Sequence, residues 1–188
     1  MSERSTSGAL LILGAMLAFV GASLYGLGGI DSADSLLFLV TRNFILAAVV
    51  TNALGLALLE SLLRDAGERV LSRLGLIGFL IGAALVVVAE ALLLDGRGYV
   101  ESLVRVYVVL AFLSQSAYGG ALLRTRLLPT WVGRMTIAWN LGWFALLLAI
   151  NVGSGPDYYP ILHHIAPLLI GIELTRHRPG AGQHPLGG

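Results

Sequence analysis

The sequence predicts an all-α protein: a polytopic membrane helical bundle of six transmembrane helices, with both termini cytoplasmic. Three observations predict this class. Of the 188 residues, 56% are hydrophobic and only 12% are charged, whereas a soluble domain has about 25% charged residues. The hydrophobic residues form continuous blocks of roughly 20, which is the length that crosses a bilayer. Arginines are concentrated in alternate loops between the blocks.

Six hydrophobic blocks follow one another along the chain. They cover about 8–29, 36–63, 75–94, 103–123, 135–153 and 160–175. The sixth is short but near the minimum length of a span. The first block could instead be a secretory signal, because "VGAS" offers small residues for cleavage, and cleavage would leave five spans. Its apolar run is longer than that of a usual signal peptide, so we expect an uncleaved anchor.

The arginine content of the loops predicts the orientation of the chain. Loops 64–74 and 124–134 carry three arginines each, and arginines also flank the first and last blocks. The other loops are poor in arginine, with Arg97 alone among them. This alternation is what six spans with cytoplasmic termini require under the positive-inside rule.

One transmembrane domain is predicted to contain nearly the whole chain. We expect residues 1–176 to form this single six-helix domain, since no loop is long enough to fold by itself. Residues 177–188 are rich in Gly and Pro, and we expect them to form a flexible cytoplasmic tail.

Composition and motifs exclude several function classes. There is no cysteine and no lysine, which rules out thiolate chemistry, iron–sulfur ligation and Schiff-base cofactors. A net charge of +1 indicates no nucleic-acid partner. The chain also lacks the HExxH and GxSxG motifs, so neither a metalloprotease nor a serine hydrolase is expected and no catalytic residue is assigned.

Ionisable side chains inside four of the blocks predict a candidate site. At ~1.5 Å per residue, Arg42, Glu90, Arg105 and His163 lie roughly 3–9 Å inside the outer ends of their helices. We predict an outward-facing polar cavity in the outer leaflet that binds a ligand. Its predicted lining is Arg42, Asn43, Glu90, Arg105, Tyr107, His163 and His164. The alternative is a structural ion pair together with arginines that extend to the membrane surface.

Pairing is expected among these and other polar residues. Glu90 and Arg105 are separated by one short loop, so we expect an ion pair between neighbouring antiparallel helices. Near the arginine-rich loops, Glu60 should pair with Arg64, and Glu173 with Arg176. Deeper polar residues are expected to form interhelical hydrogen bonds, namely Asn52, Ser114, Gln115, Ser116, Tyr118 and Asn140. We expect Gly78 and Gly82 to let two helices approach closely.

The adjacent histidines of "DYYPILHHIAP" are candidate ligands for a metal ion or haem. Neighbouring residues of a helix point about 100° apart, so one helix cannot direct both side chains at one metal ion. No other block contains a histidine, so bis-histidine haem within one chain is excluded. We expect no cofactor, with haem on a single histidine, or shared by a dimer, as the alternative. Pro167 removes the donor that would bond the His163 carbonyl.

Two runs resemble known proteins. Residues 121–143, with a Leu-Leu-Pro-x-Trp-x-Gly loop, and residues 159–174, with a His-His-x-x-Pro span, resemble the C-terminal half of uncharacterised bacterial multi-pass membrane proteins. The resemblance covers about residues 100–175. It implies a six-span fold in the bacterial inner membrane and no particular activity.

Three functions are compatible with these features. The first is a small inner-membrane protein whose outward-facing cavity binds or transports a small solute, anion or lipid headgroup. The second is a non-catalytic scaffold or accessory subunit, with a homodimer or a membrane complex as partner. The third is a haem-binding protein or membrane enzyme. The lipid bilayer is a partner in all three.

Overall fold

The computed structural model describes residues 2–26, 36–95, 101–149 and 159–176. All regular structure in these ranges is helical, which confirms the all-α prediction. The elements are α1 (Glu3–Gly26), α2 (Leu36–Asp65), α3 (Val70–Leu94), α4 (Glu101–Thr125), α5 (Thr130–Ala149), a 3₁₀ segment (Tyr159–His164) and α6 (Ile165–Arg176). The predicted tail at 177–188 and the loop containing Arg97 lie outside the described residues.

Helices α1 to α5 are long and apolar enough to cross a membrane. They contain between 20 and 30 residues each, or about 30–45 Å at 1.5 Å per residue. The sixth predicted span has a different construction. Helix α6 has 12 residues and is preceded by the six-residue 3₁₀ segment.

Proline explains why the sixth block does not begin as an α-helix. Pro167 has no backbone N–H, so it cannot bond the carbonyl of His163, four residues earlier. The chain uses the tighter 3₁₀ winding through His164 and becomes α-helical at Ile165. Because a 3₁₀ helix rises about 2.0 Å per residue, the histidines lie deeper in the bundle than uniform α-helical spacing predicts.

The helices form a closed ring. Each of α1 to α5 packs against the next helix along the chain, and α6 packs against both α5 and α1. Neighbours in the ring are antiparallel, so α2, α4 and α6 run in one direction. Loops 66–69 and 126–129 lie at one end of the bundle, together with Arg64, Arg69, Arg124 and Arg126. We call this end the arginine end.

Small residues allow the close packing of this ring. A Cβ atom on Gly171 would lie 2.8 Å from the backbone oxygen of Gly8, so α6 and α1 approach here almost backbone to backbone. Between α3 and α4, a Cβ on Gly78 would lie 2.6 Å from Ser114 Oγ, and one on Gly82 would lie 3.1 Å from Tyr107 Cδ2. The predicted packing role of Gly78 and Gly82 is confirmed.

Glu68 organises the loop between α2 and α3. Its carboxylate accepts hydrogen bonds from the backbone N–H groups of Val70 (3.1 Å), Leu71 (2.9 Å) and Ser72 (2.9 Å). These are donors that the start of a helix leaves without an intrahelical partner. Arg124 Nη1, in the last turn of α4 beside the loop at 126–129, lies 3.8 Å from the same carboxylate. Glu68 therefore caps α3 and links the two loops at the arginine end.

The two expected ion pairs at the arginine end are confirmed. Arg64 Nη1 lies 3.2 Å from Glu60 Oε2, and Arg176 Nη1 lies 3.3 Å from Glu173 Oε1. In each pair the carboxylate is largely buried while the arginine side chain reaches toward the surface.

Candidate functional site

An ion pair joins two of the predicted site residues. Arg42 Nη1 in α2 lies 3.2 Å from Glu90 Oε1 in α3, and the two side chains are only 14% and 3% exposed. The guanidinium also lies over two aromatic rings, 4.9 Å from the ring centre of Phe38 and 5.7 Å from that of Tyr25. Ring faces attract cations, so the Arg42 charge is compensated by Glu90 and by aromatic contacts.

The expected ion pair between Glu90 and Arg105 is not formed. Glu90 pairs with Arg42 instead, and its other oxygen, Oε2, has no hydrogen-bond partner among the described residues. Arg105 is exposed, although its helix does pack beside α3. Asn43 is also exposed and donates its amide N–H to the backbone oxygen of Leu39, 2.9 Å away in its own helix. Helix rotation explains both corrections, because each side chain projects from the outer face of the ring.

The histidines lie in a second group, within the bundle. His163 Nε2 is 2.7 Å from the hydroxyl of Tyr107 in α4, and His164 Nδ1 is 2.8 Å from Asn52 Nδ2 in α2. The two imidazole rings are 3.9 Å apart between centres and tilted by 38°. His163 and Asn52 are fully buried, Tyr107 is 2% exposed and His164 is 5% exposed. These bonds link α2, α4 and the 3₁₀ segment.

Aromatic and small residues enclose this group. The ring centre of Phe112 lies 6.3 Å from that of His163, and Phe79 contacts Tyr107 edge to face at 6.4 Å. On the side of α1, a Cβ on Gly14 would lie 2.6–2.8 Å from the amide atoms of Asn52. The absence of a side chain at residue 14 therefore makes room for the Asn52 amide.

The predicted cluster is thus divided into two groups at different depths. Arg42 precedes Asn52 by ten residues along α2, about 15 Å of helix. On α3, Glu90 follows Gly82 by eight residues, about 12 Å, and Gly82 is the residue that packs against Tyr107. The ion pair is therefore nearer the end opposite the arginine end, while the histidines lie near the middle of the bundle.

Several buried polar atoms in the middle of the bundle lack a hydrogen-bond partner among the described residues. They are Asn52 Oδ1, Gln115 Oε1, Gln115 Nε2, Thr136 Oγ1 and Asn140 Oδ1. All four side chains belong to residues no more than 1% exposed. Buried polar groups are normally hydrogen-bonded, so a group of exceptions in one region is informative.

Gln115 lies near the depth of Asn52, and it is eight residues, about 12 Å, from Tyr107 along α4. The Tyr118 hydroxyl donates to the backbone oxygen of Leu56 at 2.9 Å, which ties the parallel helices α4 and α2. Gln115 is three residues before Tyr118, and Asn52 is four residues before Leu56, so both lie about one turn from this tie. Gln115 is therefore level with Asn52 and with its partner His164.

Thr136 and Asn140 extend this level to α5. Gly119 and Gly133 are in close contact, with a Cβ on Gly133 lying 2.8 Å from the oxygen of Gly119. Because α4 and α5 are antiparallel, Thr136, three residues after Gly133, is nearly level with Gln115, four residues before Gly119. We call the set Asn52, Tyr107, Gln115, Thr136, Asn140, His163 and His164 the central polar cluster.

The prediction that deep polar residues form interhelical hydrogen bonds is confirmed only in part. Asn52 and Tyr118 bond across helices, as expected. Ser116 and Asn140 instead donate to backbone oxygens of their own helices, and Gln115 has no partner among the described residues. Asn52 and Gln115 were not among the predicted site residues, although their position at the middle of their helices was an available signal.

Each histidine uses one ring nitrogen in a hydrogen bond, His163 Nε2 with Tyr107 and His164 Nδ1 with Asn52. In the described part of the chain, no three His, Cys, Asp or Glu side chains come together as a metal site. No family model, curated protein or solved structure matches the chain.

Proposed function

We propose that the protein is a small integral protein of the bacterial inner membrane that binds a small uncharged polar solute at the central polar cluster and carries it across the bundle. The proposal includes six crossings, with the 3₁₀ segment and α6 together forming the sixth, and both termini in the cytoplasm. The observation that carries it is the set of amide and hydroxyl atoms buried in the middle of the bundle without a hydrogen-bond partner among the described residues.

The atoms of the cluster favour an uncharged solute. Gln115 offers an amide N–H donor and a carbonyl acceptor, while Asn52 and Asn140 offer acceptors. Among the described residues, Arg42 is the partly buried arginine on the side of the cluster away from the arginine end, and Glu90 neutralises it. An anion would therefore meet no free positive charge from Arg42. A molecule that both donates and accepts hydrogen bonds complements these atoms better than an anion or a lipid headgroup does.

The energetic cost of burying these atoms without partners supports a ligand-binding role for them. Leaving a buried polar group unsatisfied costs about 1–3 kcal/mol. A structural role alone would favour apolar side chains at Gln115 and Asn140, because a leucine there would pack without that cost. A solute that satisfies these atoms recovers the energy on binding, and this difference gives the cluster affinity for polar molecules.

A scaffold or accessory subunit is the second candidate function. The Arg42–Glu90 pair and the glycine contacts of α1 with α6 favour it, since both features satisfy the requirements of a tightly packed bundle without any ligand. The two candidate functions predict different effects on solute binding when the unpartnered Gln115 amide is removed.

Thermal unfolding in lipid nanodiscs, measured with a panel of small amides, polyols, sugars and anions, tests the proposal. We expect at least one uncharged solute to raise the melting temperature of the unaltered protein. Gln115→Leu should abolish that rise while raising the melting temperature of the ligand-free protein. Ser116→Ala is the matched control, because Ser116 is adjacent in α4 and bonds only its own helix.

Two results would decide against solute binding. One is that none of the solutes stabilises the unaltered protein although Gln115→Leu does stabilise it, which is the result expected of a scaffold. The other is that anions stabilise the protein and Gln115→Leu leaves that effect intact.

A further inference from the structure

The contact between Asn52 and His164 corresponds to one protonation state of that histidine. The amide nitrogen Nδ2 of Asn52 faces Nδ1 of His164 at 2.8 Å. An amide nitrogen donates and does not accept, so Nδ1 must be the acceptor. In this arrangement His164 is neutral and carries its single N–H on Nε2.

Asn52 holds a second atom that this arrangement does not use. Its carbonyl oxygen Oδ1 is buried and has no hydrogen-bond partner among the described residues. The two ends of an amide have nearly the same shape, so a half-turn of the amide would place Oδ1 where Nδ2 now lies. The Asn52 amide occupies the space beside Gly14, where a Cβ would lie 2.6–2.8 Å from all three amide atoms.

We propose that His164 is a proton-binding site in the middle of the bundle and that Asn52 is the positioning residue that turns its amide when the proton binds. A hydronium ion transfers a proton to the lone pair of His164 Nδ1 and leaves as water, and Nε2 keeps its hydrogen. The ring gains one positive charge. Asn52 Oδ1 then accepts the new Nδ1–H, and no covalent bond of the protein is broken.

The surrounding groups limit the site to one proton. Nearest is His163, whose ring is 3.9 Å away between centres and whose Nε2 contacts Tyr107. Two imidazolium rings at that separation would repel strongly. Of the other titratable or charged groups described on the packed helices, Tyr118 on α4 lies about one turn from Gln115, and the rest lie toward the two ends. They are Glu3, Arg4 and Tyr25 on α1, Arg42, Glu60, Arg64 and Asp65 on α2, Arg105 and Arg124 on α4, Arg134 on α5, and Glu173 and Arg176 on α6.

The site gives a proton a position between the two ends of the bundle. If a solute binds the same cluster, its affinity will depend on whether His164 is protonated, because the turn of Asn52 exchanges an acceptor for a donor in the cluster. That coupling rests on the proposed function, whereas proton binding at His164 does not.

Nitrogen-15 NMR of histidine-labelled full-length protein in nanodiscs, without added solute, tests proton binding directly. His164→Gln and His163→Gln variants assign the signals. We expect His164 Nδ1 to give an unprotonated signal at high pH and to become protonated in one transition as the pH falls. His163 should not gain a second proton over the same range.

Variants at Asn52 test the role of the amide. Asn52→Leu should lower the proton affinity of His164 by roughly tenfold or more, since a hydrogen bond to a charged group is lost. Asn52→Asp should raise that affinity. Asn140→Leu is the matched control, because it removes an equally buried asparagine that bonds only its own helix.

Three outcomes would overturn the proposal. His164 Nδ1 could carry a proton at every pH, it could stay unprotonated throughout the range in which the protein is folded, or Asn52→Leu and Asn140→Leu could shift the transition equally. Each of these outcomes can occur whether or not a solute is found to bind. Failure of the proton-binding proposal is therefore distinguishable from failure of the solute-binding proposal.

Discussion

Arg42 in α2 and Glu90 in α3 form an ion pair inside the helical ring, with 3.2 Å between Nη1 and Oε1. Along the chain, α2 and α3 are connected by the loop at residues 66–69, at the arginine end. The ion pair lies toward the other end of these two helices, and it links them there. Removing a partner from such a pair leaves the other charge buried without compensation.

The first prediction concerns the energetic coupling of this pair. Arg42→Met and Glu90→Met should each lower the free energy of unfolding in detergent by about 3–5 kcal/mol, as expected when one member of a buried pair is removed. The double variant should lose less than either single variant, because no uncompensated charge remains. Unfolding by a denaturing detergent, followed by circular dichroism, measures all three.

A pair at the arginine end provides the control. Arg64 is 42% exposed in its pair with Glu60, and Arg64→Met should cost less than about 1 kcal/mol. Simple addition of the two single effects at Arg42 and Glu90 would show that the charges are not coupled.

The second prediction concerns closure of the ring. Gly171→Ala would place a Cβ 2.8 Å from the backbone oxygen of Gly8 and 3.0 Å from Ile12 Cγ1. Since backbone cannot move as a side chain can, α6 must separate from α1, at a cost of about 1–3 kcal/mol. Gly142→Ala is the control: nothing lies within 4 Å of its added Cβ, and alanine's helix propensity should stabilise α5 by up to about 1 kcal/mol. Equal effects at the two positions would contradict this account of the packing.

Much of the fold could be predicted from the sequence because the lengths of the hydrophobic blocks and the positions of the arginines can be read directly along the chain. These properties predicted five helices that the structure shows at nearly the same positions. The pairs of Glu60 with Arg64 and of Glu173 with Arg176 were also predictable, since three or four residues of one helix separate the partners.

The partners of residues on different helices could not be predicted in this way. Choosing between Arg42 and Arg105 as the partner of Glu90 depends on how α2, α3 and α4 are rotated about their axes. The hydrophobic pattern does not specify that rotation, because in a membrane both the interior and the lipid-facing sides of a helix are apolar. The depth of His163 was also mispredicted: it bonds Tyr107 near the middle of the bundle, and the extra rise of the 3₁₀ segment, about 2 Å, accounts for only a small part of the difference.

The third prediction concerns the pH dependence of stability at the arginine end. Burial alone would raise the pKa of Glu68, but hydrogen bonds from the backbone N–H groups of Leu71 and Ser72, the Ser72 hydroxyl and the Val70 N–H outweigh it and hold the pKa below its usual value. A carboxylate with a lowered pKa stabilises the folded state above its unfolded pKa, and that contribution is lost as the pH falls through the folded pKa.

Glu68→Gln tests this prediction. At neutral pH the variant should be less stable than the unaltered protein by roughly 1 kcal/mol, the usual value of a helix cap. The difference should shrink as the pH falls, because the unaltered protein loses the same charge. Thermal unfolding of both proteins between neutral and acidic pH measures it. A difference that stays constant with pH would show that the ionised form of Glu68 contributes nothing specific.

The fourth prediction concerns orientation in the membrane, and the absence of cysteine makes it simple to test. Ser2, Ala66 and Asp95 are all exposed, with Ala66 at the arginine end and Asp95 at the other end of α3. Single cysteines at these positions can be labelled with a membrane-impermeant maleimide in bacterial spheroplasts. Because arginine-rich segments stay in the cytoplasm, Asp95→Cys should react in intact spheroplasts. Ser2→Cys and Ala66→Cys should react only after the membrane is opened.

A buried position controls for reagent access in that experiment. Val49→Cys lies in α2 at a residue only 1% exposed and should stay unlabelled until the protein is denatured. Labelling of Ala66→Cys but not Asp95→Cys in intact spheroplasts would reverse the orientation. Labelling of Ser2→Cys together with Asp95→Cys would mean that α1 does not cross the membrane before α2. In that case the ring could not be the six-span bundle proposed above, because α1 and α2 would not be consecutive crossings.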